Sequence, residues 1–252
     1  MSFEVAAEAY DRFMGRYSRP LAAQFVELVG VRRGDRVLDV GCGPGALTGE
    51  LVARLGAEAV SAVDPSGPFV AATTERFPGV DVRRAPAESL PFDADAFDVV
   101  LAQLVVHFMT DPVAGLREMA RVGRPGATLG ASVWDHAGGQ GPLSVYWRAA
   151  HDVDPSVVGE GDLPGAAEGH LGRLCAEAGL SDVRESALTV SVTHASFEEW
   201  WEPYTRGVGT AGDHFAGLDE AHGAAVRARC AELLGPAPFT VDAVAWVVLA
   251  KG

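Results

Sequence analysis

The stretch Val37-Leu-Asp-Val-Gly-Cys-Gly-Pro-Gly45 constrains this chain more than any other. Arg36 to Val40 is a short apolar run that reads as a strand, and three glycines in five residues follow it at once. Ala46 to Leu55 then carries Leu47, Leu51 and Leu55 at i, i+4 and i+8, which is one face of a helix. Closely spaced glycine lets a backbone turn sharply and approach a ligand with no Cβ in the way. A tight strand-to-helix turn alone does not call for so many.

The same alternation continues downstream. Ala59 to Val63, Val80 to Arg84, Phe97 to Ala102 and Ala127 to Trp134 read as strands. Helical patterns at Pro68 to Phe77 and from Thr110-Asp111-Pro112 to Val122 separate them, the latter opened by an Asp cap and a first-turn proline. Strands alternating with helices mean βαβ units on a parallel sheet, and continuously apolar strands fit a sheet covered on both faces. Upstream, Val5, Ala9, Phe13, Met14 and Tyr17 share a helical face, and Ser18 before Pro20 reads as a cap and restart. Downstream of Trp134, Asp135 to Gly141 is a Gly-rich loop and Asp152 to Gly169 an acidic surface excursion. Helices are expected at Pro142 to His151, Gly169 to Ala178, Phe197 to Tyr204 and Ala221 to Leu234. Strands are expected at Val183 to His194 and Thr240 to Ala250. The expectation is a single domain over 1–252: a helical lid at 1–30, a ligand-binding core at 31–135 and a substrate-side half at 136–252.

Charge narrows the partners. Lys and Arg total 20 against 34 Asp and Glu, a net charge of −14, so the field of the chain repels polyanions and nucleic acid is not expected as a partner. No apolar run approaches the roughly 20 residues of a membrane helix, so no membrane partner is expected. The first residues show no secretory h-region. The 3 cysteines, Cys42, Cys175 and Cys230, are too widely spaced for a disulfide framework or a zinc site. Together these point to the cytoplasm. The 7 histidines show no metal-ligand spacing, and no metal is expected.

Gly41, Gly43 and Ala46 also fit the dinucleotide pattern G-x-G-x-x-G/A, with Asp64 as its downstream acid. Asp39 argues against that reading, because a carboxylate aimed at the turn repels a pyrophosphate. It suits a ligand carrying an ammonium or sulfonium group. Asp64, at the end of the second strand, can accept hydrogen bonds from both hydroxyls of a ribose or can cap a helix.

These residues closely resemble the class I S-adenosylmethionine (SAM)-dependent methyltransferases, in the small-molecule branch that includes the ubiquinone/menaquinone-type enzymes. Four blocks recur in family order: VLDVGCGPG at 37–45, AVDPS at 62–66, AESLPF at 87–92 and FDVVLAQLVVHF at 97–108. Gly123-Arg-Pro-Gly-Ala127 is similar to the family's turn before the fifth strand. The resemblance implies a doubly wound, Rossmann-like α/β fold: a seven-stranded, mostly parallel sheet with the last strand antiparallel, a helical N-terminal lid and C-terminal cap insertions. It implies SAM as cofactor and methyl transfer to O, N or C of a small-molecule acceptor. A SAM-binding protein with other chemistry and an NAD-dependent oxidoreductase stay open beside it.

By position, the resemblance gives Asp39 the methionine ammonium, and sets the backbone at Gly41, Gly43 and Gly45 under the methionine and ribose. It gives Asp64 the ribose hydroxyls, Pro65 and the Ala87 N–H the adenine, with Glu88 beside it, and Gln103 the methionyl group. Pro86 departs from the family, which often has Asp there to accept from the adenine amine. Tyr10, Phe13 and Tyr17 would belong to the lid, with Tyr17 counted among the cofactor contacts and Arg16 facing the methionine carboxylate; core packing is the competing account. His107, past the fourth strand, is the candidate catalytic base, since an imidazole titrates near neutrality; otherwise it is a pocket wall. Trp134 ends the fifth strand on the ligand edge. Trp147, Trp200, Trp201 and Tyr204 either close the substrate side or form the core of the C-terminal half.

Overall fold

In the computed structural model, Asp11 and residues 13–252 are described. Val5, Ala9 and Tyr10, expected on the N-terminal helix, lie outside these residues.

The apolar runs form one seven-stranded sheet: β1 (Val37–Val40), β2 (Val60–Asp64), β3 (Asp81–Arg84), β4 (Phe97–Gln103), β5 (Gly123–Trp134), β6 (Ser181–His194) and β7 (Phe239–Lys251). Their spatial order is β3-β2-β1-β4-β5-β7-β6. Strands β1 to β5 pair in parallel. Strand β7 runs antiparallel to both β5 and β6, so the last strand alone is reversed. This is the doubly wound arrangement expected.

The helices are α1 (Gly15–Val29), α2 (Ala46–Leu55), α3 (Gly67–Arg76), α4 (Pro112–Val122), α5 (Ser144–Val153), α6 (His170–Glu177), α7 (Phe197–Thr205), α8 (Gly209–Ala216) and α9 (Glu220–Leu234). Side-chain caps set three of their starts. Asp111 accepts from the Ala114 N–H, Ser196 from Glu199 and Asp219 from His222. Gly30, in the left-handed conformation at φ 73°, ends α1.

Three features differ from the sequence expectation. Pro20 lies inside α1, and Ser18 is a buried helical residue rather than a cap. One missing N–H near the helix start costs less than breaking a helix that buries Tyr17, Leu21, Phe25 and Val26 on one face. Helix α8, with glycines at 209 and 212, has no readable period of its own and forms by packing Ala211 into the C-terminal core. Strand β5 starts at Gly123 rather than Ala127, because Gly123 pairs with Phe97 before a register shift in β4.

Strand β1 is buried along its whole length, as a central strand covered on both faces must be. One apolar layer sets Leu116 and Met119 of α4 and Leu171 of α6 against the sheet. The opposite layer is built by Phe25 of α1 and Leu51 of α2. A third, aromatic cluster joins Tyr17 and Trp134 to Tyr146, Trp200, Trp201 and Tyr204 of the C-terminal half. Among the described residues no helix is long and apolar enough to cross a membrane.

Candidate active site

Strand order reverses direction on either side of β1, between β2 and β4, so their carboxyl ends open a crevice there. In open α/β sheets ligands bind at such a switch point. The glycine turn after β1 lies on this edge. Gly41 and Cys42 donate their N–H groups to the Val63 carbonyl at 2.8 and 2.9 Å, and Thr73 Oγ1 donates to the Gly43 carbonyl at 2.8 Å. Gly41 has φ 74°, and a Cβ there would meet Val105 Cγ2 at 2.4 Å. Gly43 has φ 53°, and a Cβ there would meet no protein atom. The turn is thus tied from behind and bare in front.

A cavity on this edge is lined by Asp39, Gly41, Gly43, Asp64, Pro65 and Gln103. Six of the residues assigned from the sequence are brought together there. Asp39 is 1% exposed and accepts from Thr48 Oγ1 at 2.6 Å. Burial lifts its pKa from 3.8 to about 7; the Thr48 bond lowers it and the nearby Asp64 charge raises it. Asp64 accepts from the Gly43 N–H on one oxygen and the Ser66 N–H on the other, both at 2.8 Å. Burial raises its pKa and those two bonds oppose the rise. Gln103 donates from Nε2 to the Ser18 carbonyl at 3.0 Å, which fastens α1 to β4, while its buried Oε1 has no partner among the described residues.

Five residues assigned to the cofactor from the sequence do not line this cavity. Tyr17 is buried against the C-terminal half, its hydroxyl 3.0 Å from His194 Nε2. Gly45 lies behind the turn, facing Phe77. Ala87 packs in the core layer with Met109 and Leu116. Glu88 accepts from the Thr110 and Asp111 N–H groups at 2.7 and 3.2 Å and so braces the loop before α4. Arg16 pairs with Glu199 at 2.7 Å.

The wall also uses residues the sequence did not single out, among them Ser18, Leu47, Phe69, Leu104, Val105 and Phe108. Leu104, Val105 and Phe108 all sit in the recurrent block at 97–108, but nothing in the block marks the backbone of Leu104 as unusual. Leu104 has φ 62°, an uncommon conformation for leucine that tends to mark functional sites.

Leu104 and Phe108 also line a second cavity, so the two adjoin. Its walls include Phe13, Trp134 and Leu143, with His107, His136, Glu160 and Thr210 as polar groups. His107 is in a 3-10 turn, Val106–Phe108, right after β4. Burial, and then His136, push its pKa down to about 3, so it is neutral and weakly basic. Trp200, Trp201 and Tyr204 are core: Tyr204 stacks on Tyr146 with ring centres 4.9 Å apart. Trp147 donates from Nε1 to Glu160 at 2.9 Å. Among the described residues no group of His, Cys, Asp and Glu is placed to hold a metal ion.

A doubly wound sheet with a glycine turn and two buried carboxylates at its switch point is the architecture of class I methyltransferases. Residues 38–130 match the methyltransferase domain family. The ubiquinone biosynthesis O-methyltransferase of Parvibaculum lavamentivorans is 37% identical over 129 residues, 46% of this chain and 51% of that protein. The nocamycin O-methyltransferase of Saccharothrix syringae is 35% identical over 136 residues, 52% of this chain and 49% of that protein. The chain thus aligns with about half the length of these curated relatives. Phosphoethanolamine N-methyltransferase 2 of Haemonchus contortus, solved with S-adenosylhomocysteine, superposes with a TM-score of 0.60 at 17% identity, covering 97% of this chain and 56% of that one.

Proposed function

We propose that the chain transfers a methyl group from SAM to O, N or C of a small-molecule acceptor. The observation that carries this reading is Asp39. Its carboxylate is fully buried, its charge is opposed by burial and by Asp64, and a cationic ligand in the cavity relieves both. The bare face of Gly43 and the unpartnered Oε1 of Gln103 fit the same ligand. Bound there, SAM supplies a methyl on a sulfonium, with a neutral thioether as leaving group.

In this reading Asp39 takes the ammonium, Asp64 the ribose hydroxyls, Pro65 the adenine and Gln103 the methionyl end. Gly41 and Gly43 let the backbone pass close beneath. Tyr17, Gly45, Ala87 and Glu88 brace the surrounding walls. The acceptor occupies the second cavity, with His107 on its wall. The O-methyltransferase names of the relatives and the aromatic walls support a small, mostly apolar acceptor, and the charge of −14 argues against nucleic acid. Three free thiols suit the cytoplasm.

Calorimetry with SAM, S-adenosylhomocysteine and NAD tests the reading. SAM and S-adenosylhomocysteine should bind and NAD should not. NAD binding without SAM binding overturns it, and SAM binding with no methylated product across a broad acceptor screen overturns the transfer chemistry.

A further inference from the structure

We propose that His136, backed by Glu160, takes the proton from the acceptor, and that the second cavity receives a flat, apolar molecule carrying a weakly acidic hydroxyl of the phenol class. This rests on the reading above, in which the first cavity holds the cofactor.

Glu160 lies in the acidic excursion, yet it is only 8% exposed. Trp147 of α5 donates to its Oε2 at 2.9 Å, and Thr210 of α8 donates to its Oε1 at 2.7 Å. Two separate helices therefore fix one buried carboxylate. His136 Nδ1 faces Oε2 at 3.6 Å, beyond hydrogen-bond length but close enough to set the tautomer. A proton on Nδ1 turned toward the carboxylate leaves the lone pair on Nε2. That Nε2 is buried and has no hydrogen-bond partner among the described residues.

The imidazole lines the second cavity, which adjoins the first through Leu104 and Phe108. A base oriented by a third group, its ring on a cavity wall, is the arrangement proton abstraction needs. Burial lowers the pKa of His136, while the Glu160 and Asp135 charges raise it, so the ring is neutral and able to accept. His107, whose ring centre is 5.6 Å away, is pushed down by burial and by His136, with no carboxylate among the described residues raising it as Glu160 and Asp135 raise His136. Asp135 also shapes the loop that presents His136, accepting from the Gly138 N–H and from Gln140 Nε2, both at 2.8 Å.

The walls choose the substrate. Phe13, Trp134 and Leu143 are apolar, and among the described residues no Lys or Arg lines this cavity. An acceptor bearing a carboxylate or phosphate would find no countercharge there. A neutral molecule with one acidic hydroxyl can enter uncharged and be activated in place. The hydroxyl proton moves to His136 Nε2, and the nitrogen lone pair forms the new N–H bond. The O–H bonding pair stays on oxygen. The imidazolium rests against the Glu160 carboxylate until its proton passes to water.

Fluorine NMR with 4-fluorophenol and fluorobenzene, on protein saturated with S-adenosylhomocysteine, tests this. The phenol should bind more tightly than fluorobenzene. His136→Gln should weaken the phenol about tenfold, the worth of one buried hydrogen bond, and leave fluorobenzene unchanged. Equal affinity for the two probes, or an unchanged phenol Kd in the variant, overturns the proposal. If His136→Gln fails to fold, imidazole ¹⁵N signals of the wild type replace it: one must move with 4-fluorophenol and stay with fluorobenzene, and no movement overturns the assignment. Methyl transfer to 4-fluorophenol should fall about 10²–10⁴-fold in His136→Gln. Transfer to 4-nitrophenol at about pH 6.5, where this more acidic hydroxyl is still mostly protonated and can enter uncharged, should fall less; equal losses, or no transfer to either phenol, overturn the base role. Failure of S-adenosylhomocysteine to bind at the outset is a separate result, against the cofactor reading alone.

Discussion

Asp39→Asn should make the ligand-free protein more stable and the cofactor complex weaker. Asp39 is fully buried, and its pKa stands at about 7 instead of 3.8. At about 1.4 kcal/mol per decade of proton affinity, keeping the charge in the folded state costs about 4 kcal/mol above neutrality. The folded chain holds this proton up to about pH 7, while the unfolded chain releases it near 3.8. Stability from this group is therefore greatest below 3.8, falls as the pH rises through that window, and is level above it. Asparagine carries no charge and can still accept from Thr48. The variant should match wild type at pH 4 and exceed it at pH 8 by on the order of 5–10 °C in Tm. In binding the order reverses, because an ammonium favours the carboxylate. Between pH 7 and 5.5 wild-type affinity for SAM should weaken by up to about tenfold per unit, with a proton released on binding. The asparagine variant should bind weakly with no such slope. Thermal denaturation at the two pH values and calorimetry in buffers of different ionisation enthalpy measure both effects. A variant no more stable than wild type at pH 8, or wild-type binding at pH 6 without proton release, refutes the reasoning.

Other expectations follow from neighbouring groups. Gly41→Ala sets a Cβ 2.4 Å from Val105 Cγ2 at φ 74° and should cost about 1–3 kcal/mol in urea unfolding. Adding Val105→Ala should recover only part of that, since it relieves the contact and not the backbone; full recovery would exclude backbone strain. Asp64→Ala strands the Gly43 and Ser66 N–H groups, so SAM affinity and stability should fall together, and unchanged values in both would remove Asp64 from the site. Trp200→Ala should lower stability by about 3–5 kcal/mol while the Kd for S-adenosylhomocysteine stays put, because the ring belongs to the C-terminal core.

The core of the fold was legible because its signals are local. A strand, a glycine turn and a helix follow one another within residues 36–55, and the apolar runs of β2, β4 and β5 repeat the pattern. Asp39, Asp64 and Gln103 stand at or near strand ends, so the parallel register alone brings them to one edge. Helix α8 stayed hidden because its glycines carry no period, and Pro20 misled because tertiary burial overrides a single lost bond.

The sequence by itself determined the α/β class, the glycine turn and the carboxylate pair, since each depends on residues close in the chain. Tertiary structure alone decided which side chains face a cavity. Tyr17, conspicuous in sequence, is spent on His194, and Glu88 on the backbone before α4. Glu160, lost in an acidic loop, is carried inward because Trp147 and Thr210 satisfy both its oxygens, and it then stands beside His136. A carboxylate can be buried only where donors converge on it, and such convergence is a property of the fold rather than of any stretch of chain.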